Sequence, residues 1–434
     1  MRPFYKRSLK LMGILALCSA CFIYGAFAHR NKLFPYPALS RLVYWSTWHR
    51  IAPERSWGAA RTPDTPRIDD GLTALPYISG YEPAPEDRGV VLYDAERSHP
   101  GLNLFTSGHD TSAYLIDMQG NTVHEWSLGP IKAWDEHAPP ASAKLIYPEW
   151  GYWRRAHAYP NGDLLVIYES AGLLRINAES KVVWSFWGGC HHDLFVAPSG
   201  DIYVLGKEWA NSSSLDRNDR VINDRIFVLS PDGQVKKSIS LLSALENSPH
   251  VPLLDFAEPH EPDIFHSNTV YVFDGSLGRH HPAFRSGNIL TSIRSLNTLV
   301  IIDPDLERVV WTITGPWRWQ HDPLPLSNGN VLLFNNKYAS NRSQVLEFSP
   351  LTHAIEWSYE DSEFHSNILG TIQRLENQNT LVTESTHGRA FELTPELQIV
   401  WEFHNPHRSG DDGELIATLF DMVRYEHNYF TFLP

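Results

Sequence analysis

Past residue 100 the chain repeats one order of apolar and polar positions: an apolar strand, a turn built on Asp, Pro, Gly or Asn, then a second strand that usually ends in Trp. Six copies begin at Tyr114 (YLIDMQGNTVHEW), Leu173 (LLRINAESKVVW), Ile226 (IFVLSPDGQVKK), Leu299 (LVIIDPDLERVVW), Val345 (VLEFSPLTHAIEW) and Phe391 (FELTPELQIVW). Their β-branched strands and turn residues predict hairpins. Five are preceded by a second kind of hairpin with a polar turn and a strongly apolar return strand: AHAYPNGDLLVIYES, HHDLFVAPSGDIYVL, FHSNTVYVFDGSL running on to GNILTSIR, QHDPLPLSNGNVLLFNN and LGTIQRLENQNTLVTES. Two hairpins in succession make one four-stranded antiparallel blade.

The expected fold is therefore all-β, a six-bladed β-propeller over residues 87–434. Seven blades are the alternative. Trp126, Trp184, Trp311, Trp357 and Trp401 recur at one position of the repeat, the last three spaced by 46 and 44 residues, and are expected to pack blade against blade. The segments Leu102 to Trp126 and Arg424 to Leu433 are the candidates for closing the ring. The pattern does not say which strand closes it.

Ahead of the repeats, Leu11 to Ala28 carries no charge and follows Arg2, Lys6, Arg7 and Lys10. An N-terminal hydrophobic helix is expected within residues 1–30, as an uncleaved membrane anchor in preference to a cleaved signal, with the propeller outside the cytoplasm. Residues 31–86, rich in Pro, Trp, Tyr and Arg, read as a juxtamembrane stalk. A chain that is 42% hydrophobic and 20% charged can bury a large core, and a net charge of −14 argues against a nucleic-acid partner. Of three cysteines only Cys190 lies in the folded body, so no disulfide is available there.

Inner strands of a propeller all start at one end of the central channel, so equivalent repeat positions converge. Those starts read Ala156-His157-Ala158, His191-His192-Asp193, Phe265-His266-Ser267-Asn268, Gln320-His321-Asp322 and Phe364-His365-Ser366-Asn367. A cluster of imidazoles can bind a metal, act as nucleophile and acid/base, or cradle a tetrahedral anion. Asp193 and Asp322, each following a histidine, either orient its ring or cap a local turn. Trp317, Trp319, Phe195, Tyr338 and Phe364 flank the motifs as an aromatic slot or as blade core.

The H-H-D motif at His191–Asp193, the F-H-x-N motif at Phe265–Asn268 and the Q-H-D motif at Gln320–Asp322 are similar to those of the arylsulfate sulfotransferases that work without a nucleotide donor. The resemblance runs from about Gly89 to Pro406, supported by GLNLFTSGHDTSAYLIDMQGNTVHEW and IQRLENQNTLVTESTHGRAFELT. It implies a six-bladed propeller that moves a sulfuryl group from an aryl sulfate to a phenol through a sulfohistidine, in ping-pong fashion and with no cofactor. It implies His321 as the nucleophile, His192, His266 and Asn268 on the sulfuryl oxygens, and Arg294 as the sulfate-binding arginine. An insertion between Gly275 and Gly287 bears on the alignment of Arg294. Competing readings are a metal-dependent lyase or hydrolase with His157, His192, His266 and His321 as ligands, and a non-catalytic binding module of the cell envelope.

Overall fold

The computed structural model describes residues 80, 82–129, 152–212, 214–215, 220–258, 261–339, 342–410 and 412–433. The hydrophobic segment Leu11–Ala28 and nearly all of the stalk lie outside them. Among the described residues no helix is long and apolar enough to cross a membrane.

Six antiparallel sheets of four or five strands and one small three-stranded sheet account for the strands. The innermost strands of the six larger sheets are β1 (Trp153–Ala158), β2 (Leu194–Val196), β3 (Ser267–Val272), β4 (His321–Pro325), β5 (Thr371–Arg374) and β6 (Leu419–Tyr425). Each sheet then steps outward strand by strand in chain order, except that β6 is followed by Leu102–Ser107. Neighbouring sheets meet around a closed circuit, with β6 against both β1 and β5. The sheets are thus the six blades of a propeller, numbered I to VI with β6 in blade I and β1 to β5 in blades II to VI.

All six repeat hairpins read from the sequence are the outer halves of these blades. The closing strand is C-terminal and starts at Leu419, earlier than the segment from Arg424 that the pattern singles out. Gly89–Tyr93 adds a fifth strand to blade VI by pairing with the strand that holds Trp401. The small sheet pairs Glu82–Pro83 with Leu415–Ile416, so the folded body reaches back to Glu82. Its two-residue strands make no seventh blade.

Four of the five repeated tryptophans clasp their blade to the next. The indole N–H of Trp126 donates to Gly162 O at 2.9 Å, Trp184 to Pro231 O at 3.1 Å, Trp357 to Pro395 O at 3.1 Å and Trp401 to Met118 O at 3.0 Å. Each bond crosses to a turn of the following blade, so one side chain supplies apolar area and a satisfied donor together. Gly233 shows how close the approach is: a Cβ there would stand 2.7 Å from the Trp184 ring, at a φ of +81°. Trp311 instead packs near Phe284 of the Gly275–Gly287 insertion, whose ring stacks on Phe273. The stretch after Ser240 is not merely a loop but holds a short helix, Leu241–Glu246, capped by the Ser240 side chain.

Candidate active site

Four of the six inner strands carry a register shift where they begin: between Trp153 and Arg155 in β1, Ser267 and Val270 in β3, His321 and Leu324 in β4, and Leu419 and Asp421 in β6. A bulge re-aims side chains out of the alternating pattern, here at the mouth of the channel. Left-handed backbone gathers at the same end, at His192 (φ +56°), His266 (+49°), Trp319 (+55°) and Asp322 (+51°). Non-glycine residues there are costly and cluster at functional sites.

This end brings His192, His266 and His321 together, as the repeat predicts. The rings of His192 and His266 lie 5.0 Å apart, edge to face. His321 is buried, and its Nδ1 lies 2.9 Å from Trp319 O and 2.7 Å from Asn336 Oδ1. The Asn336 amide nitrogen donates to Ser366 O at 2.8 Å and to Leu369 O at 2.6 Å, which fixes the amide with its oxygen toward the ring. Two acceptors at Nδ1 place the proton there and leave Nε2 unprotonated. Burial holds the His321 pKa well below the ordinary histidine value, reinforced by the charge of Arg294, although Asn336 pulls the other way. His192 is depressed in the same sense by burial first and then by Arg154. Its Nδ1 meets Nδ1 of His191 at 2.8 Å.

His266 differs from the other two. Its Nδ1 donates to Asp263 Oδ2 at 2.5 Å and its backbone N–H to Asp263 Oδ1 at 3.0 Å. Burial raises the Asp263 carboxyl, yet the contact with His266 outweighs it and holds the group well below the usual carboxylate range. This is the one ring of the three with a carboxylate hydrogen-bonded to it.

Asp193 and Asp322 neither orient their neighbouring histidines nor merely cap turns. Both face Arg155 of β1, at 3.0 Å and 3.4 Å, and Asp421 of β6 joins them at 3.1 Å. Only a side chain on the axis can touch blades I, III and V at once. The free oxygens of two of these carboxylates cross to the next blades, accepting from Val270 N at 2.9 Å and Ile372 N at 2.7 Å. Burial works against the Arg155 charge, but Asp421, Asp193 and Asp322 together raise its pKa above the ordinary arginine value.

Arg294 follows Ile289–Ile293, the strand that returns to the mouth with Ile293 opposite Ser267. The insertion lies at the other end of that hairpin, so it does not displace Arg294 from His266 and His321. The Arg294 guanidinium lies 4.3 Å from the Trp319 ring centre, and Lys337 Nζ lies at the same distance from that ring. Asn268 is buried beside the nucleophile candidate, where its amide donates to Gln320 O at 2.7 Å.

Other expectations shift. His157 sits two residues along β1 from Arg155 with its ring near Tyr159, and the strand-start position that blades III, IV and V give to histidine is held by Arg154. His365 lies ahead of β5 and meets Asn367 at 2.9 Å, away from the cluster. Of the four histidines considered as metal ligands, His157 thus stands apart, and among the described residues the other three do not bring three ligand atoms within 4.8 Å of one another. Among the described residues, the three-residue group whose ligand atoms approach within 4.8 Å is His99, Glu376 and Glu426, at the opposite end of the blades. Among the described side chains of the aromatic slot only Trp319 stands at the site: Trp317 packs on Phe348, Phe364 on Phe334, and Phe195 faces Tyr271. The Tyr338 side chain lies outside the described residues. Cys190 is fully buried, which raises its thiol pKa.

Asn336, Arg154, Arg155 and Asp263 were not legible as site residues, although the Trp-Arg-Arg run ahead of Ala156-His157 occupies a strand start.

The arylsulfotransferase (ASST) family model matches residues 177–406. No curated relative matches the chain. Among solved structures, a protein of unknown function from Bacteroides caccae is 12% identical with a TM-score of 0.48, covering 71% of this chain and 94% of its own. Streptogramin B lyase is 12% identical with a TM-score of 0.42, covering 80% and 96%. Virginiamycin B lyase from Staphylococcus aureus is 10% identical with a TM-score of 0.39, covering 77% and 99%.

Proposed function

Since this chain belongs to the arylsulfotransferase family, which implies a sulfotransferase activity, we propose that it carries a sulfuryl group from an aryl sulfate to a phenol through a covalent adduct on His321. The observation that carries this reading is the doubly accepted Nδ1 of His321, which leaves Nε2 as a lone pair next to the Arg294 charge. A neutral imidazole needs no base to become a nucleophile.

In the first half-reaction Nε2 attacks sulfur, the N–S bond forms as the S–O(aryl) bond breaks, and the bonding pair leaves on the aryloxide. His266 supplies the proton that the aryloxide takes up, its ring oriented by the hydrogen bond between Nδ1 and Asp263. In the second half-reaction His266 takes the proton from the acceptor phenol, whose oxygen attacks sulfur and returns His321 to its starting state. Arg294 and His192 face the oxygens on which charge accumulates, and Asn268 positions the backbone beside His321.

A chromogenic aryl sulfate, without nucleotide, tests the reading. Donor alone should release one burst of phenol per site and leave the His321 peptide heavier by one sulfuryl group, acid-labile and discharged by added phenol. Turnover with that peptide unmodified, or an obligatory ternary complex, would replace the covalent route with direct transfer. We propose that the propeller lies outside the cytoplasm, in the periplasm of a bacterial cell, on the strength of the uncharged Leu11–Ala28 stretch; protection from a protease added to cells stripped of any outer membrane would overturn this.

A further inference from the structure

Two consecutive arginines of β1 meet opposite surroundings. Arg155 is balanced by three carboxylates. Arg154, only 5% exposed, forms one ion pair among the described residues, with Glu169 at 4.0 Å, while Asp421 and Asp322, which bind Arg155 directly, act on it from farther off. The Glu169 carboxylate also accepts from the backbone N–H of His192 at 3.2 Å. The Phe420 ring, on which Tyr152 stacks, lies 5.6 Å from the guanidinium and accepts no ordinary hydrogen bond. Keeping a guanidinium out of water for one long ion pair is unfavourable, so a charge so placed points to a further anionic partner.

Its position says where that partner sits. Arg154 precedes Arg155 as His192 precedes Asp193 and His321 precedes Asp322, and the bonds from Arg155 to both aspartates hold the three strand starts together. The bulge between Trp153 and Arg155 falls on Arg154 itself. The charge of Arg154 reaches both His192 and His321.

We propose that Arg154 is a second oxyanion-binding arginine of this site, which grips a tetrahedral sulfur oxyanion from blade II while Arg294 approaches it from blade IV. The identity of the anion as a sulfuryl group rests on the transfer reading above; the binding itself does not. Arginine suits this place because its planar fork can donate two parallel bonds to one tetrahedral anion, which lysine cannot do.

Thermal unfolding of the full chain in sodium sulfate, against sodium chloride of equal ionic strength, tests the binding. A ligand that binds only the folded state raises the midpoint saturably, unlike the general salting effect of sulfate. Wild type should show saturation in the millimolar range. R154Q should lose at least about ten-fold in sulfate affinity while melting in chloride no lower than wild type, since an underpaired buried charge is gone. R154K, which keeps the charge, provides the readout if R154Q does not fold, and it too should lose sulfate affinity. E169Q should bind sulfate more tightly, because a competing carboxylate is removed. Turnover of 4-nitrophenyl sulfate by R154Q should fall about 10²- to 10³-fold in kcat/KM. Unchanged sulfate affinity in R154Q, or an equal loss in E169Q, would make the Arg154–Glu169 pair structural and overturn the inference. Sulfate bound through Arg154 by a wild type that transfers no sulfuryl group would instead overturn the transfer reading and leave this one standing.

Discussion

Asn336 Oδ1 lies 2.7 Å from Nδ1 of His321, and the same amide is pinned through its nitrogen to Ser366 O and Leu369 O. One asparagine from the strand next to β4 therefore sets the tautomer of the proposed nucleophile and ties it to the loop before β5.

Replacing Asn336 with Ala should lower kcat/KM for an aryl sulfate by roughly 10- to 100-fold, the equivalent of a buried hydrogen bond worth about 1–3 kcal/mol. Asn336→Asp separates geometry from charge. Its carboxylate would favour the imidazolium and raise the His321 pKa, so the acid limb of the pH–rate profile should move to higher pH. A limb that stays in place would show that the amide is not coupled to the reacting ring.

The pH–rate profile of the wild type should hold its plateau through pH about 6.5, the ordinary histidine value. Burial and then Arg294 depress His321, so its neutral, reactive form persists below that pH and is lost only as the pH falls through the lowered folded value. Arg294→Met removes one of the depressing causes. Its acid limb should therefore rise in pH, alongside a loss of about 10²- to 10³-fold in turnover. Circular dichroism over the same range checks that the limb is not unfolding.

Arg155→Met should destabilise the protein by about 3–5 kcal/mol, because Asp193, Asp322 and Asp421 would be left buried around an absent charge. Denaturant midpoints measure this. The unpaired carboxylates would bind protons more readily in the folded variant than in its unfolded chain, so the deficit should shrink as the pH falls toward about 4. A constant deficit from pH 8 to 4 would refute the ionic account. Arg155→Lys should rescue little, since one ammonium cannot reach three blades.

Cys190 should resist alkylation in the native protein and react only on unfolding, as its burial and raised thiol pKa require. Peptide mass spectrometry after iodoacetamide treatment reads this out directly. Cys190→Ser should leave turnover unchanged, and rapid native labelling would mean that blade II opens.

The blades were legible because hairpin chemistry is local: apolar runs, turn residues and the recurring Trp lie within reach of one another in sequence. The meeting of His192, His266 and His321 followed from the repeat alone. What failed was the assumption that one residue type marks one position. His157 lies farther along β1, while the equivalent strand start carries Arg154. Asp193 and Asp322 adjoin histidines in sequence but serve Arg155 in space, because bulges and left-handed turns at the strand starts redirect side chains in ways that no alternating pattern reveals. Asn336 needed the pairing of His321 with Phe334 to come into view.

Leu419–Tyr425 is the last of the blade strands to be synthesised, yet it lies innermost in blade I and brings the third carboxylate to Arg155. Its pairing with Leu102–Ser107 joins segments far apart in sequence, a contact whose loop-closure entropy makes it slow to form. Assembly of the pocket is thus deferred until this last blade strand has been made. A chain that stops short of Leu419 can hold five blades together with His192, His266 and His321 but no settled axis, so the arrangement around Arg155 is complete only in a closed ring.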